Sequence, residues 1–255
     1  MSGLLVSIDG PIHRWTLDRP ERRNALGTEL MADLIAAAAA ARHPACRLVV
    51  LDATPPAFCA GSDLKEIARM PSVDAIVAHE RHWRLLSLAL RSLDRPVLAV
   101  IRGPAIGGGL FLATFADHRI AAREAIFGAP EVTLGWLPPG GLEELIELVG
   151  VGRARELVLT GRRIDGDRAH AIGLVDEAVP LADLDAAVAS AERRFLALPA
   201  GAVADVKRYL RMRPGWTREQ RDREQLEAFT AALGSVEARA TLRRSREPGG
   251  ARAHG

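Results

Sequence analysis

At 255 residues and 48% hydrophobic content, the chain suits one large domain, or one domain with an appendage, and is too apolar for wholesale disorder. A net charge of +2 does not argue for nucleic acid, no apolar run is long enough to span a bilayer, and no membrane association is expected. The only cysteines, Cys46 and Cys59, make neither a disulfide framework nor a metal set, and the N-terminus lacks the regions of a secretory signal, so a cytoplasmic protein is expected.

The elements begin with two strands, "LLVSI" (4–8) and "IHRWTL" (12–17), joined by a turn at Asp9-Gly10. After the polar "DRPERRNAL", Thr28 is placed to cap an alanine-rich helix running to Arg42. "RLVVLDA" (47–53) reads as a buried strand. "TPPAFCAGSDLKE" follows as a loop entering a helix capped by Asp63. Residues 74–93 read as a helix, stopped at Asp94-Arg95-Pro96, and "VLAVI" (97–101) as a buried strand. Three glycines, 107–109, open "LFLATFA", a helix apolar all round and therefore buried. "DHRIAA" and "AIF" are short strand candidates. From about 141 the pattern is helical, interrupted by the strand "GLVDEAVP", and "REPGGARAHG" reads as a frayed end. Alternating strands and helices with a helical back half predict an α/β fold.

The glycine run admits three readings. A phosphate loop is excluded, because no Lys-Ser/Thr follows and the dinucleotide spacing is absent. Close packing at the start of a buried helix is the second. The third is an anion site: a helix N-terminus presents unpaired N–H groups, and without Cβ atoms a substrate oxygen can reach them. The glycines alone leave the last two open. The second strand–glycine–helix junction, "AFCAGSDLKE", could aim further N–H groups at the same point.

Six stretches in this order, "RPERRNAL", "AFCAGSDL", "GPAIGGGLFLA", "FGAPEVTLGWLP", "RARELVLTGRRID" and "AIGLVDEAVP", resemble the crotonase, or enoyl-CoA hydratase/isomerase, superfamily. The resemblance implies a crotonase-type ββα-superhelix core over 1–195. It also implies a helical C-terminal trimerisation region over 196–255, in a homotrimer or dimer of trimers. It implies an acyl-CoA substrate, with coenzyme A part of that substrate and no separate cofactor. Its motifs place the thioester oxygen between the backbone N–H groups of Ser62 and Gly108. Arg22, Arg23, Ala25, Ala60 and Lys65 become candidates for holding the CoA moiety, and Phe111 and Trp136 for lining the acyl pocket. "TLRRSREPGG" lacks the phenylalanine that helps cover CoA in many relatives.

Hydratases of this family use two glutamates. One matches Glu131, after the proline of "FGAPE". The other position, three residues beyond Gly108, holds Phe111, which can neither carry a proton nor hold a water. The resemblance therefore implies an enzyme with Glu131 as its single base, suited to moving a double bond rather than adding water across it. Hydration despite Phe111, and an acyl-CoA-binding protein without catalysis, are the alternatives. In related dienoyl isomerases an aspartate matches Pro139, a route closed here. Glu143 and Glu144 read as first-turn helix acids. His79 and His82 read as surface or pocket-lining groups, and no third ligand makes them a metal site. Trp83 is expected to shape the pocket or pack the core.

Overall fold

The computed structural model describes residues 3–138, 140–212, 215, 217–233 and 236, in two compact units, Met1–Phe195 and Leu196–Gly255. The first unit is built on a six-stranded sheet. Strand β1 (Leu4–Asp9) turns back antiparallel onto β2 (Ile12–Leu17), with Asp9 opposite Ile12. Helix α1 (Thr28–Ala40) carries the chain to β3 (Leu48–Ala53), parallel to β2. Helices α2 (Leu64–Ile67) and α3 (Val73–Arg91) lead to β4 (Val97–Ile101), parallel to β3.

The chain then forms β5 (Ala105–Ile106) and α4 (Gly108–Thr114), and rejoins the sheet as β6 (His118–Ala122) beside β4. Strand β7 (Ile126–Gly128), helix α5 (Leu142–Thr160), β8 (Arg163–Asp165), helix α6 (Gly166–Ala171), β9 (Glu177–Val179) and helix α7 (Leu184–Ala197) follow. The large sheet runs β1-β2-β3-β4-β6-β9, and β5-β7-β8 form a second, smaller one. In the second unit, α8 (Ala200–Met212) precedes α9 (Arg218–Leu233).

Buried strands read as continuous apolar runs because both faces are covered, and β4, "VLAVI", is buried at every residue. Trp15, Leu17, Leu48 and Leu51 form the sheet's share of the core. Leu30 and Leu34 of α1 and Leu86 and Leu90 of α3, two helices that pack on each other, are buried as well, each at most 2% exposed. Removing such a leucine side chain costs roughly 2–5 kcal/mol.

Three details depart from the sequence reading. Thr28 does not cap α1: the N-cap is Gly27, and Glu66 Oε1 accepts from both the Thr28 N–H (3.1 Å) and Oγ1 (2.6 Å). A carboxylate from a later helix thus satisfies the end of α1. Strands β5 and β8 are too short to carry a period-2 signal and exist through pairing with β7. Helix α5 is broken at Gly150, whose backbone is not helical. Asp63 does cap α2, accepting from the Glu66 N–H. Pro139 and the 246–255 tail lie outside the described residues.

Candidate active site

The site is assembled from backbone first. Asn24 is fully buried and tethers the 19–26 segment. Its Nδ2 donates to Thr54 O (2.8 Å) and Ala57 O (2.7 Å), and its Oδ1 accepts from Arg19 N (2.8 Å). That segment then zips onto the 57–63 loop through Ala60 N to Arg23 O, Leu26 N to Gly61 O and Asp63 N to Leu26 O. On its other side the loop pairs with β5, through Cys59 N to Pro104 O and Ile106 N to Cys59 O. In the Leu26–Ser62 bridge the neighbouring peptide groups take the hydrogen bonds, so the Ser62 N–H is left out of the pairing. It has no acceptor among the described residues. Nor has the Gly108 N–H, at the first turn of α4, where helical N–H groups lack partners.

The glycines bring these two amides together. Gly61 lies at φ +92°, and a Cβ on it would stand 2.8 Å from Ile106 O and 3.2 Å from the Gly108 N. Gly107 lies at φ +55°, and its missing Cβ leaves room for Glu131 Oε1, 2.7 Å from where that atom would be. A Cβ on Gly108 would be 3.5 Å from the Ser62 N, and one on Gly109 would overlap Cys59 O. Gly107 and Gly109 thus each answer a close approach, whereas Gly108 has room for a Cβ at ordinary contact distances.

Glu131 stands in a 3₁₀ turn, Pro130–Leu134, 8% exposed. Its Oε2 is buried without a hydrogen-bond partner, and burial pushes its carboxyl above the ordinary glutamate range. Among the described residues no cation lines the cavity into which it opens. That cavity holds about 620 Å³ of atom-free space, part of it open to solvent. The structure brings Ala60, Ser62, Gly108, Phe111, Glu131 and Trp136 to its wall, with Trp83, Glu80 and Gly140. Phe111 is 1% exposed and packs beneath Gly141, where a side chain would overlap it. The arrangement can accept an oxygen at two amides and move a proton at one carboxyl.

The remaining candidates lie elsewhere. Arg22 is bound to Asp63 (2.6 and 2.8 Å) in a polar groove with Arg19, Glu66 and Arg69. Burial raises the Asp63 carboxyl, but its bonds to Arg22 and the Glu66 N–H outweigh that and hold it low. Arg23 and Lys65 are exposed and carry no ion pair among the described residues, and Ala25 is buried. None of these four lines the cavity. Glu143 is exposed and Glu144 pairs with Arg91, so neither acid reaches the cavity. His79 is buried with Nδ1 2.8 Å from Thr28 Oγ1, and His82 Nδ1 lies 3.3 Å from Ala78 O. Burial pushes the Cys59 thiol up to about 12, which removes it as a nucleophile. Glu80 was overlooked in the sequence. Its signal there is its i, i+3 spacing from Trp83, a large apolar side chain on the buried face of α3.

The sequence matches the family model described as enoyl-CoA hydratase/isomerase over residues 8–246. It is 36% identical over 180 residues to an enoyl-CoA isomerase/hydratase of Mycosarcoma maydis, covering 66% of this chain and 65% of that one. It is 41% identical over 166 residues to the mitochondrial enoyl-CoA hydratase domain-containing protein 2 of Mus musculus, covering 64% and 56%. The chain thus spans between about half and two thirds of the length of these two relatives, 65% and 56%. A probable enoyl-CoA hydratase of Rhizobium meliloti is 38% identical over 206 residues, 79% of each chain. Among solved structures, the enoyl-CoA hydratase of Mycobacterium smegmatis superposes with a TM-score of 0.91 at 28% identity, over 96% and 98% of the chains. One from Thermobifida fusca, a putative enoyl-CoA hydratase in complex with acetoacetyl-CoA, gives 0.82 at 34% identity, over 91% and 95%. Among the described residues no helix is long and apolar enough to cross a membrane.

Proposed function

The chain belongs to the enoyl-CoA hydratase/isomerase family of the crotonase superfamily, and from that premise we propose that it is an enzyme shifting a double bond along an acyl-CoA. The thioester oxygen lies between the N–H groups of Ser62 and Gly108. Glu131 takes a proton from C2. The C2–H electrons form an enolate whose charge rests on the thioester oxygen, and the C3–C4 double bond moves to C2–C3 as Glu131 returns the proton to C4. The two amides stabilise charge that exists only in and after the transition state. One such donor is worth roughly 3–4 kcal/mol. The raised affinity of Glu131 for a proton suits a group that must both take and give one.

The observation that carries this reading is the convergence of two amides without acceptors among the described residues and one carboxyl whose Oε2 has no partner on a single cavity. Phe111 favours isomerisation over hydration, because an apolar side chain holds no water at the place where family hydratases carry a second glutamate. The solved complex of the Thermobifida fusca relative with acetoacetyl-CoA supports the substrate class. Arg23 and Lys65, exposed and unpaired, are the better candidates for CoA phosphates, since Arg22 is engaged by Asp63. A cytoplasmic site of action fits the two cysteines, buried and unpaired. A trimer or dimer of trimers is supported by the exposed Val206, Leu210, Leu226 and Phe229 of the second unit, and solution mass tests it.

The test of the activity is incubation with matched 2-enoyl- and 3-enoyl-CoAs followed by product identification. Interconversion of the two, faster than formation of 3-hydroxyacyl-CoA, is expected. Rapid formation of the hydroxyacyl product with no isomer would refute the single-base reading. Tight CoA-thioester binding with no turnover on any member would leave a binding protein.

A further inference from the structure

Two polar groups on the cavity wall have no partner, and the proposed proton transfer uses neither. Trp83 is only 5% exposed, and its indole Nε1 is buried without an acceptor among the described residues. Glu80 stands three residues earlier on α3, on the same side of the helix. It is half-buried, with no hydrogen bond or ion pair among the described residues. Burial pushes its carboxyl upward, with no cation to pull it back. Both line the cavity that contains Ser62, Gly108 and Glu131. Most other side chains on that wall are apolar: Leu64, Ile106, Phe111, Leu134 and Trp136.

Gly140 adds an independent observation. It lines the same cavity, and a Cβ on it would overlap Trp83 Nε1. The missing side chain therefore sets no Cβ against the indole N–H, which is itself buried. A buried donor left unpaired is costly, and a desolvated carboxyl is costlier. Small polar sets of this kind in an otherwise apolar pocket fix the orientation and identity of a ligand.

We propose that Glu80 and Trp83 form a hydroxyl-binding subsite, so that the preferred acyl group carries a hydroxyl on its chain beyond the reacting carbons. This rests on the reading of the cavity as an acyl-CoA site. A hydroxyl is a donor and an acceptor in one atom. It accepts from the Trp83 N–H and donates to the Glu80 carboxylate, satisfying both. A hydrocarbon chain satisfies neither, a keto oxygen only Trp83, and an ammonium only Glu80. A reacting water offers the same chemistry as a hydroxyl. The pair, however, belongs to α3, whereas the two amides and Glu131 belong to the loops at 61–62 and 107–108 and the 130–134 turn.

The test compares kcat/KM for matched enoyl-CoAs that differ only by a hydroxyl two or three carbons beyond the double bond. Wild type should favour the hydroxylated chain by about tenfold or more, the worth of one or two hydrogen bonds. Glu80→Leu, Trp83→Phe and Gly140→Ala should bring that ratio close to one. Glu80→Gln, whose amide oxygen still accepts, should keep most of it. Calorimetric titration of each variant with a saturated hydroxyacyl-CoA and its plain counterpart gives the same comparison without turnover. A wild type indifferent to the hydroxyl overturns the proposal. So do variants that lose both chains equally, since the pair would then serve the reacting water. If Glu131→Gln turns over both chains at the wild-type rate, the enolate reading fails instead, while the ratio still reports on Glu80 and Trp83.

Discussion

Glu131→Gln separates chemistry from packing more sharply than any other single change. The amide keeps the shape of the side chain against Gly107 but carries no exchangeable acid proton. Positioned acid–base groups are worth roughly 10²–10⁴-fold, about 3–5 kcal/mol of barrier. Turnover on every enoyl-CoA should fall by that factor, while binding of a saturated acyl-CoA changes little. The same substitution should stabilise the fold at neutral pH. Glu131 Oε2 is buried without a partner and burial opposes its charged form, a cost that the neutral amide does not carry. The sign follows from the direction of the shift. Burial raises the folded-state value above the ordinary 4.5, so the native state binds the proton more tightly than the unfolded chain. The penalty is present in full above the raised value and fades as the pH falls through it, disappearing below 4.5. Urea unfolding of wild type and variant between acidic and slightly alkaline pH should show the variant's advantage growing with pH. A variant within a few-fold of wild-type activity would remove Glu131 from the mechanism. A wild type that gains stability relative to the variant as the pH rises would mean that the carboxylate has a partner.

Gly108→Pro should be inactive although proline suits the first turn of α4, because it deletes the N–H. Gly108→Ala, whose Cβ would sit at ordinary contact distances (3.4 Å from Leu26 Cδ1), keeps the N–H and should retain far more activity. Infrared or Raman spectra of a bound thioester should show carbonyl polarisation lost only in the proline variant. A folded proline variant that still polarises the carbonyl would place the oxygen elsewhere. Phe111→Glu should raise the ratio of hydration to isomerisation on one acyl chain, at some cost in stability for a buried unpaired charge. A folded variant with an unmoved ratio would show that Phe111 does not face the reacting carbons. Asn24→Ala should cost roughly 3–5 kcal/mol in urea unfolding, through three lost hydrogen bonds and a left-handed backbone (φ +56°) that alanine adopts poorly. A loss under about 1 kcal/mol would show that the tether is dispensable.

The parts of this fold that were legible are those whose cause is local. Apolar runs such as 48–51 and 97–101 announce buried strands because every residue on them is covered. Asp63 announces its helix because its own carboxylate satisfies the first turn three residues on. Where the partner comes from far along the chain, local signals mislead. Thr28 has the composition of a cap, yet Glu66, thirty-eight residues later, does the capping, and the threonine hydroxyl turns to Glu66 and His79 instead. Strands β5 and β8 could not be read for the same reason, since two or three residues become a strand only when β7 lies between them.

The site divides in the same way. The glycine run is visible locally, as backbone freedom ahead of a buried apolar helix, whereas Phe111 stands out only through the family resemblance, which puts a glutamate at that place in hydratases. Glu80 is visible in neither way. Its neighbour His79 is buried against α1, and one step of helical rotation puts Glu80 at the cavity beside Trp83. That step matters only because Gly140 sets no Cβ against the buried indole N–H, and nothing in residues 73–91 specifies that glycine. A carboxyl on a polar helix reads as surface until the opposite wall is known. For that reason the proposed hydroxyl subsite draws on two separate segments, α3 and the residue at 140, and no one stretch of sequence announces it.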